Sequence, residues 1–276
     1  MTQQTAVETA PAGQEDSAGQ EVHAAQEVQE RVNEYWSRWA GEYDAHQRRR
    51  LQQEGEEDLW RRVWGEMLPD PGTGSAGGSA GGPPEVLDIG TGSGHAAVVV
   101  ASLGHRVTGI DLAEGMLEQA RLRTGGAENP QFLTGDAAAP PFLPGRFDAI
   151  TARYLLWTLR DPAEALARWL EVLRTGGVLG VVDSLWFPEG LAAGAGEAQS
   201  ERSSHFAAAY AGAQQRMPLA EAGSIDVYAE QIRAAGFTEV TVEELTELYA
   251  LDQARGVAPG HQVQMQYRIR AVKPAD

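Results

Sequence analysis

The sequence predicts an α/β protein built on a doubly wound, mostly parallel sheet. Three observations predict it. Short apolar runs without polar alternation, such as residues 85–89 and 178–183, suit strands covered on both faces. Helical patterns separate these runs, as the crossovers of a parallel sheet require. An acid followed by alternating glycines, Asp88-Ile89-Gly90-Thr91-Gly92-Ser93-Gly94, stands where the first strand would turn into the next helix.

Residues 1–22 are rich in Gln, Glu, Ala, Gly and Thr without apolar periodicity, the composition of a disordered tail. Val28, Val32, Tyr35, Trp39 and Tyr43 then share one helical face, and Trp60, Val63, Trp64, Met67 and Leu68 repeat the pattern. Residues 23–69 are therefore expected to form a helical cap. Residues 70–84 have linker composition, and 85–276 would form the main domain. There the strands are expected at EVLDIG, HRVTGID, QFLTGD, FDAITARY and VLGVVDSLWF. Between them, HAAVVVASLG and AEGMLEQARLR read as helices. Asp161-Pro162-Ala163-Glu164 carries an N-terminal capping pattern, and Gly176-Gly177 is expected to stop the helix it opens. Residues 188–222 read as a lid insertion after strand five, with a helix near His205. A helix from Ile225 to Ala235 and two late strands complete a seven-stranded sheet with an antiparallel edge strand.

Composition narrows the function. A net charge of −17 and a pI near 4.7 argue against nucleic acid or anionic lipid as partner and favour a small molecule. The absence of cysteine excludes disulfides, thiolate metal sites and cysteine nucleophiles. The N-terminus lacks the pattern of a secretory signal, and the longest apolar run, Ala96 to Leu103, is too short to span a bilayer. A cytoplasmic monomer or homodimer is expected.

The tetrapeptide Gly-Thr-Gly-Ser occurs at 72–75 and again at 90–93, but only the second copy lies between a strand and a helix. There glycines let the backbone turn and approach a ligand closely. The dinucleotide fingerprint, started at Gly90, requires glycine where His95 stands, so a nicotinamide-dependent oxidoreductase is disfavoured. The stretch resembles instead the first motif of class I S-adenosylmethionine-dependent methyltransferases, of the small-molecule, ubiquinone/menaquinone-methyltransferase-like type. Further pieces follow in that family's order: Asp111 ending VTGID, Asp136 in LTGDAAAPPF, FDAITARYLLWTL, and LRTGGVL with Thr175 in place of the usual proline.

The resemblance implies a Rossmann-like fold and S-adenosylmethionine as cofactor. Its binding set would be Asp88, Gly90, Gly92, Gly94, Asp111, Leu112, Met116, Asp136, Ala137 and Arg153. Asp111 would accept from the ribose hydroxyls, Asp136 would receive the adenine amino group, and Met116 would pack on adenine. YWSRWAGEYDAHQ resembles the entry segment in which a tyrosine closes over the methionine end, a role that falls to Tyr43. Trp36, Trp157, Trp186, Tyr210 and Arg216 are the candidates for the acceptor, with Tyr154 or His205 as catalytic groups. Such a transfer is an in-line displacement that needs no metal, so positioning would carry most of it. A binding module without turnover remains the alternative, because binding and turnover need different residues. Alanine-, glycine- and arginine-rich usage suggests bacterial specialised metabolism, and the acceptor atom (oxygen, nitrogen or carbon) is left open.

Overall fold

The computed structural model describes residues 13–73, 82–190, 201–213, 217–257 and 262–275. The first helix, α1 (Gly13–Leu51), begins inside the segment expected to be a disordered tail. Once the residues from Val28 onward are anchored by packing, each added residue contributes a hydrogen bond without a new nucleus, so a Gln/Glu/Ala-rich stretch extends the helix. Residues 1–12 of that tail and 74–81 of the linker lie outside the described residues. A second helix, α2 (Glu56–Gly65), follows α1.

The expected strands and helices then appear in order. They are β1 (Glu85–Ile89), α3 (His95–Ser102), β2 (Arg106–Asp111), α4 (Glu114–Thr124), β3 (Gln131–Thr134), β4 (Phe147–Arg153), α5 (Pro162–Val172) and β5 (Leu173–Ser184). The Asp161 side chain caps α5 by accepting from the Glu164 N–H, and Pro162 occupies the first turn. Gly176 and Gly177 do not end that helix. Leu173, fully buried, already pairs with Phe147, so the chain becomes extended at once and the glycines fall at an irregularity in the β4–β5 ladder. After β5 come α6 (Glu201–Ala209), α7 (Asp226–Ala234), β6 (Thr238–Glu244), α8 (Thr246–Arg255) and β7 (Gln266–Val272). The sequence reading did not anticipate α8.

All seven strands form one sheet in the order β3-β2-β1-β4-β5-β7-β6. The first five run parallel, and β7 is antiparallel to both neighbours. The antiparallel strand therefore stands one place in from the edge. Ile269 and Ala271 of β7 are fully buried, whereas β6 is exposed along most of its length and suits the edge. One face of the sheet packs on α2, α3, α4 and α8, and the other on α5, α7 and the middle of α1. The two N-terminal helices thus divide: α2 belongs to a layer of the main domain, and only α1 reaches the ligand side. No helix among the described residues is long and apolar enough to cross a membrane.

Candidate active site

A cavity of about 800 Å³ opens above the carboxyl ends of the parallel strands. Open α/β sheets bind ligands there, because the strand order reverses between β1 and β4 and leaves a crevice. Gly90, Gly92, Asp111, Leu112, Met116, Asp136, Ala137 and Arg153 all line it, as does Tyr43. The acceptor candidates Trp36, Trp157, Trp186 and Tyr210 line it too.

Two members of the implied cofactor set do other work. Asp88 is 1% exposed and accepts from the hydroxyls of Thr91 (2.6 Å) and Thr151 (2.7 Å), which ties the glycine loop to β4. Burial raises its carboxyl pKa to about 6. At Gly94, with φ of +77°, an added Cβ would lie 2.9 Å from the Phe132 ring, so this glycine serves packing under the loop. Gly92 differs. It has φ of +54°, and nothing lies within 4 Å of where its Cβ would be, so its backbone faces open space.

Asp111 holds this cradle in place. One carboxylate oxygen accepts from the Gly92 N–H and the other from the Ala113 N–H, both at 2.8 Å. Burial pushes its pKa up, while those backbone donors pull it down. Each oxygen keeps a lone pair for a ligand hydroxyl. Asp136 accepts from the Ala138 N–H at 2.8 Å. An open glycine turn between two carboxylates, with Met116 and Leu112 as an apolar floor, fits an adenosine-bearing ligand.

Much of the remaining lining is aromatic. Tyr210 stacks on Trp157 at 5.6 Å, accepts from the Trp36 indole N–H at 2.9 Å, and meets Phe206 at 4.4 Å. Tyr43 lies edge-on to Trp36 at 5.6 Å. The sequence reading missed two residues that organise this lining. Asp183, fully buried at the end of β5, accepts from the Trp186 indole (2.6 Å) and from the Leu156 N–H (3.0 Å). Burial raises its pKa to about 7. Gly115 lets α1 approach α4: an added Cβ would lie 2.6 Å from the Ser37 carbonyl oxygen.

The two candidate catalytic groups are not poised as bases. Tyr154 has φ of +58°, a strained conformation for a side-chain-bearing residue, and its hydroxyl is hydrogen-bonded to the Gln266 side chain. Burial drives its pKa upward, against the demand on a general base. His205 lies on α6 beside Trp39 and is not among the lining residues, which on that helix are Arg202, Ser203 and Phe206. Those three point inward at helical spacing and leave His205 on another face. Arg216 lies outside the described residues. The minor histidines fare no better. His95 is buried at the start of α3 against Trp60, with its pKa well below normal because of burial, and burial lowers that of His46 as well.

A family model described as a methyltransferase domain matches residues 87–181, the stretch that carries Asp88, Asp111 and Asp136. The ubiquinone/menaquinone biosynthesis C-methyltransferase of Desulfotalea psychrophila is 31% identical over 144 residues, covering 50% of this chain and 52% of that protein. Over this stretch the chain is similar to class I S-adenosylmethionine-dependent methyltransferases. The ubiquinone biosynthesis O-methyltransferase of Albidiferax ferrireducens is 37% identical over 96 residues, 34% of this chain and 38% of that one. The chain therefore spans about half or less of the length of these curated relatives. Among solved structures, phosphoethanolamine N-methyltransferase 2 of Haemonchus contortus, in complex with S-adenosyl-L-methionine, shares the fold. Its TM-score is 0.50 at 18% identity, and the match covers 84% of this chain and 60% of that one.

Proposed function

We propose that this methyltransferase domain transfers a methyl group from S-adenosylmethionine to a small, flat acceptor held among the aromatic side chains. One observation carries the reading: the glycine cradle with Asp111 and Asp136, and the cluster of Trp36, Trp157, Trp186 and Tyr210, line the same cavity. When bound, the cofactor supplies an electrophilic methyl on a positively charged sulfur. Asp111 holds the ribose, Asp136 the adenine amino group, and Met116 and Leu112 the adenine face. Tyr43 and Trp36 roof the methionine end, where aromatic faces favour a sulfonium. The stacked Trp157 and Tyr210 orient the acceptor and exclude water, which an in-line displacement needs more than it needs a proton acceptor.

No histidine, lysine or cysteine lines the cavity among the described residues, and the phenols of Tyr154 and Tyr210 are held protonated by burial. The acceptor on this reading brings its own nucleophilicity, as an acidic hydroxyl, an electron-rich ring carbon or a free amine. The curated relatives are named for transfer to carbon and to oxygen, which supports the first two. A lining without histidine, lysine or cysteine among the described residues also suits a binding module without turnover.

Two measurements separate the readings. S-adenosylhomocysteine is expected to raise the melting temperature and NAD to leave it unchanged; the reverse would overturn the cofactor assignment. Incubation with S-adenosylmethionine and a panel of naphthohydroquinones, phenols and arylamines is expected to release S-adenosylhomocysteine with at least one acceptor. Binding without release across the whole panel would favour the module.

A further inference from the structure

Asp183, near the end of β5, is fully buried and is not among the residues that line the cavity. What offsets its burial is a set of N–H donors, not a paired cation. One carboxylate oxygen accepts from the Trp186 indole at 2.6 Å and from the Ser184 N–H at 2.9 Å, and the other accepts from the Leu156 N–H at 3.0 Å. The Leu155 N–H is a further donor. A carboxylate taken out of water against neutral donors is costly, and the end of a strand does not require one.

The donors belong to two separate parts of the cavity lining. Trp186 lines the cavity just after β5. Leu155 and Leu156 open the short turn Leu156–Thr158 after β4, which carries Trp157 into the same lining. The Trp157 indole donates to the Tyr154 carbonyl at 3.0 Å, so its ring follows the backbone that Asp183 holds. The two indole rings lie 6.3 Å apart at 43°. Ring packing alone lets an indole tip about its bond to Cβ, whereas a directional bond to Nε1 fixes the ring plane.

We propose that Asp183 is a positioning residue for the acceptor: one buried carboxylate fixes the Trp157 and Trp186 rings relative to each other and so shapes the aromatic lining that a flat acceptor meets. The inference deepens the methyltransferase reading and rests on it for the assignment of that lining to the acceptor.

Calorimetry with S-adenosylhomocysteine and 1-naphthol on the full-length protein tests it in Asp183→Asn, Trp186→Phe and the double variant. Asparagine keeps the size but offers one acceptor oxygen to donors on two sides, so one wall is released. Asp183→Asn is expected to weaken naphthol roughly tenfold, because the freed ring must be ordered on binding, and to leave S-adenosylhomocysteine within about twofold of wild type. In the Trp186→Phe background the same change should cost about threefold or less, since one of its donors is already gone. Unchanged naphthol affinity in Asp183→Asn overturns the proposal, and so does the full loss in the Trp186→Phe background. Equal loss of both ligands would give Asp183 a structural role only. A second measurement needs no variant at position 183. In the free wild-type protein the Trp186 indole N–H, assigned by its absence from the NMR spectrum of Trp186→Phe, should exchange slowly with solvent; protection that arises only on adding naphthol overturns the proposal. Failure of naphthol to bind wild type would overturn the acceptor assignment instead, leaving indole exchange to decide whether Asp183 holds the ring.

Discussion

At the scale of single residues, Asp111 and the buried Asp183 make different demands. Asp111 orders the glycine cradle and keeps lone pairs free, so Asp111→Ala removes two backbone anchors together with the proposed ribose acceptor. Hydrogen bonds to a charged group contribute about 1.5–3 kcal/mol each, so affinity for S-adenosylhomocysteine should fall roughly tenfold to a hundredfold by calorimetry. Unchanged affinity would remove Asp111 from the site. Asp183 and Asp88 report through pH. Their folded pKa values, about 7 and about 6, lie above the usual carboxylate value near 3.9, so between these limits the folded state binds more protons than the unfolded chain. Stability then declines as pH rises through that window. The melting temperature should be higher at pH 5 than at pH 8, and Asp183→Asn should flatten the slope while lowering stability throughout, since its amide would face N–H donors. A melting temperature that rises from pH 5 to pH 8 would contradict this assignment.

At the scale of elements, α1 is placed by two contacts with α4 that no local pattern announces. Gly115 brings the helices together at Ser37, and Asp44, fully buried, is paired with Arg123 from α4 and Arg48 from its own helix. Gly115→Val forces a branched side chain against the Ser37 backbone. It should cost about 1–3 kcal/mol in denaturant unfolding and displace Trp36 and Tyr43 from the roof. Asp44→Ala leaves the Arg123 guanidinium buried without its partner, and a loss of about 3–5 kcal/mol is expected; a loss under about 1 kcal/mol would show the clamp to be incidental. These elements also show what the sequence makes legible. Strands β1, β2, β4 and β5 were readable because apolar runs and strand-end acids are local signals. Gly115 was not, because a glycine inside a helical pattern looks the same whether or not another helix crosses it. The site divides in the same way. The motif acids were readable, whereas the Trp36 bond to Tyr210 joins residues 174 positions apart and leaves no periodic trace. The position of β7 one place in from the edge likewise depends on competition between two late strands for β5, decided by the burial of Ile269 and Ala271.

At the scale of the whole molecule, the cavity has a floor from the sheet and a roof whose two parts lie far apart in sequence. α1 supplies Tyr35, Trp36 and Tyr43, and the segment after β5 supplies Phe187, Arg202, Phe206 and Tyr210. Polar contacts join these parts: Trp36 to Tyr210, Arg38 to Glu201, and Arg202 to both Glu42 and the Tyr35 hydroxyl. The Arg38–Glu201 pair is exposed and contributes little, so the bond between Trp36 and Tyr210 and the contacts of the buried Arg202 hold the junction. A ligand that touches both parts should therefore order them together. Hydrogen exchange is expected to slow in α1 and α6 alike on adding S-adenosylhomocysteine and a phenolic acceptor, because local opening of either exposes the same cavity. Trp36→Phe keeps the ring but removes the donor to Tyr210, at a cost of about 1 kcal/mol. In that variant the protection should persist in α4, the proposed cofactor side, and weaken in α6. Equal protection of α6 in wild type and variant would mean that α6 is held by its aromatic packing alone.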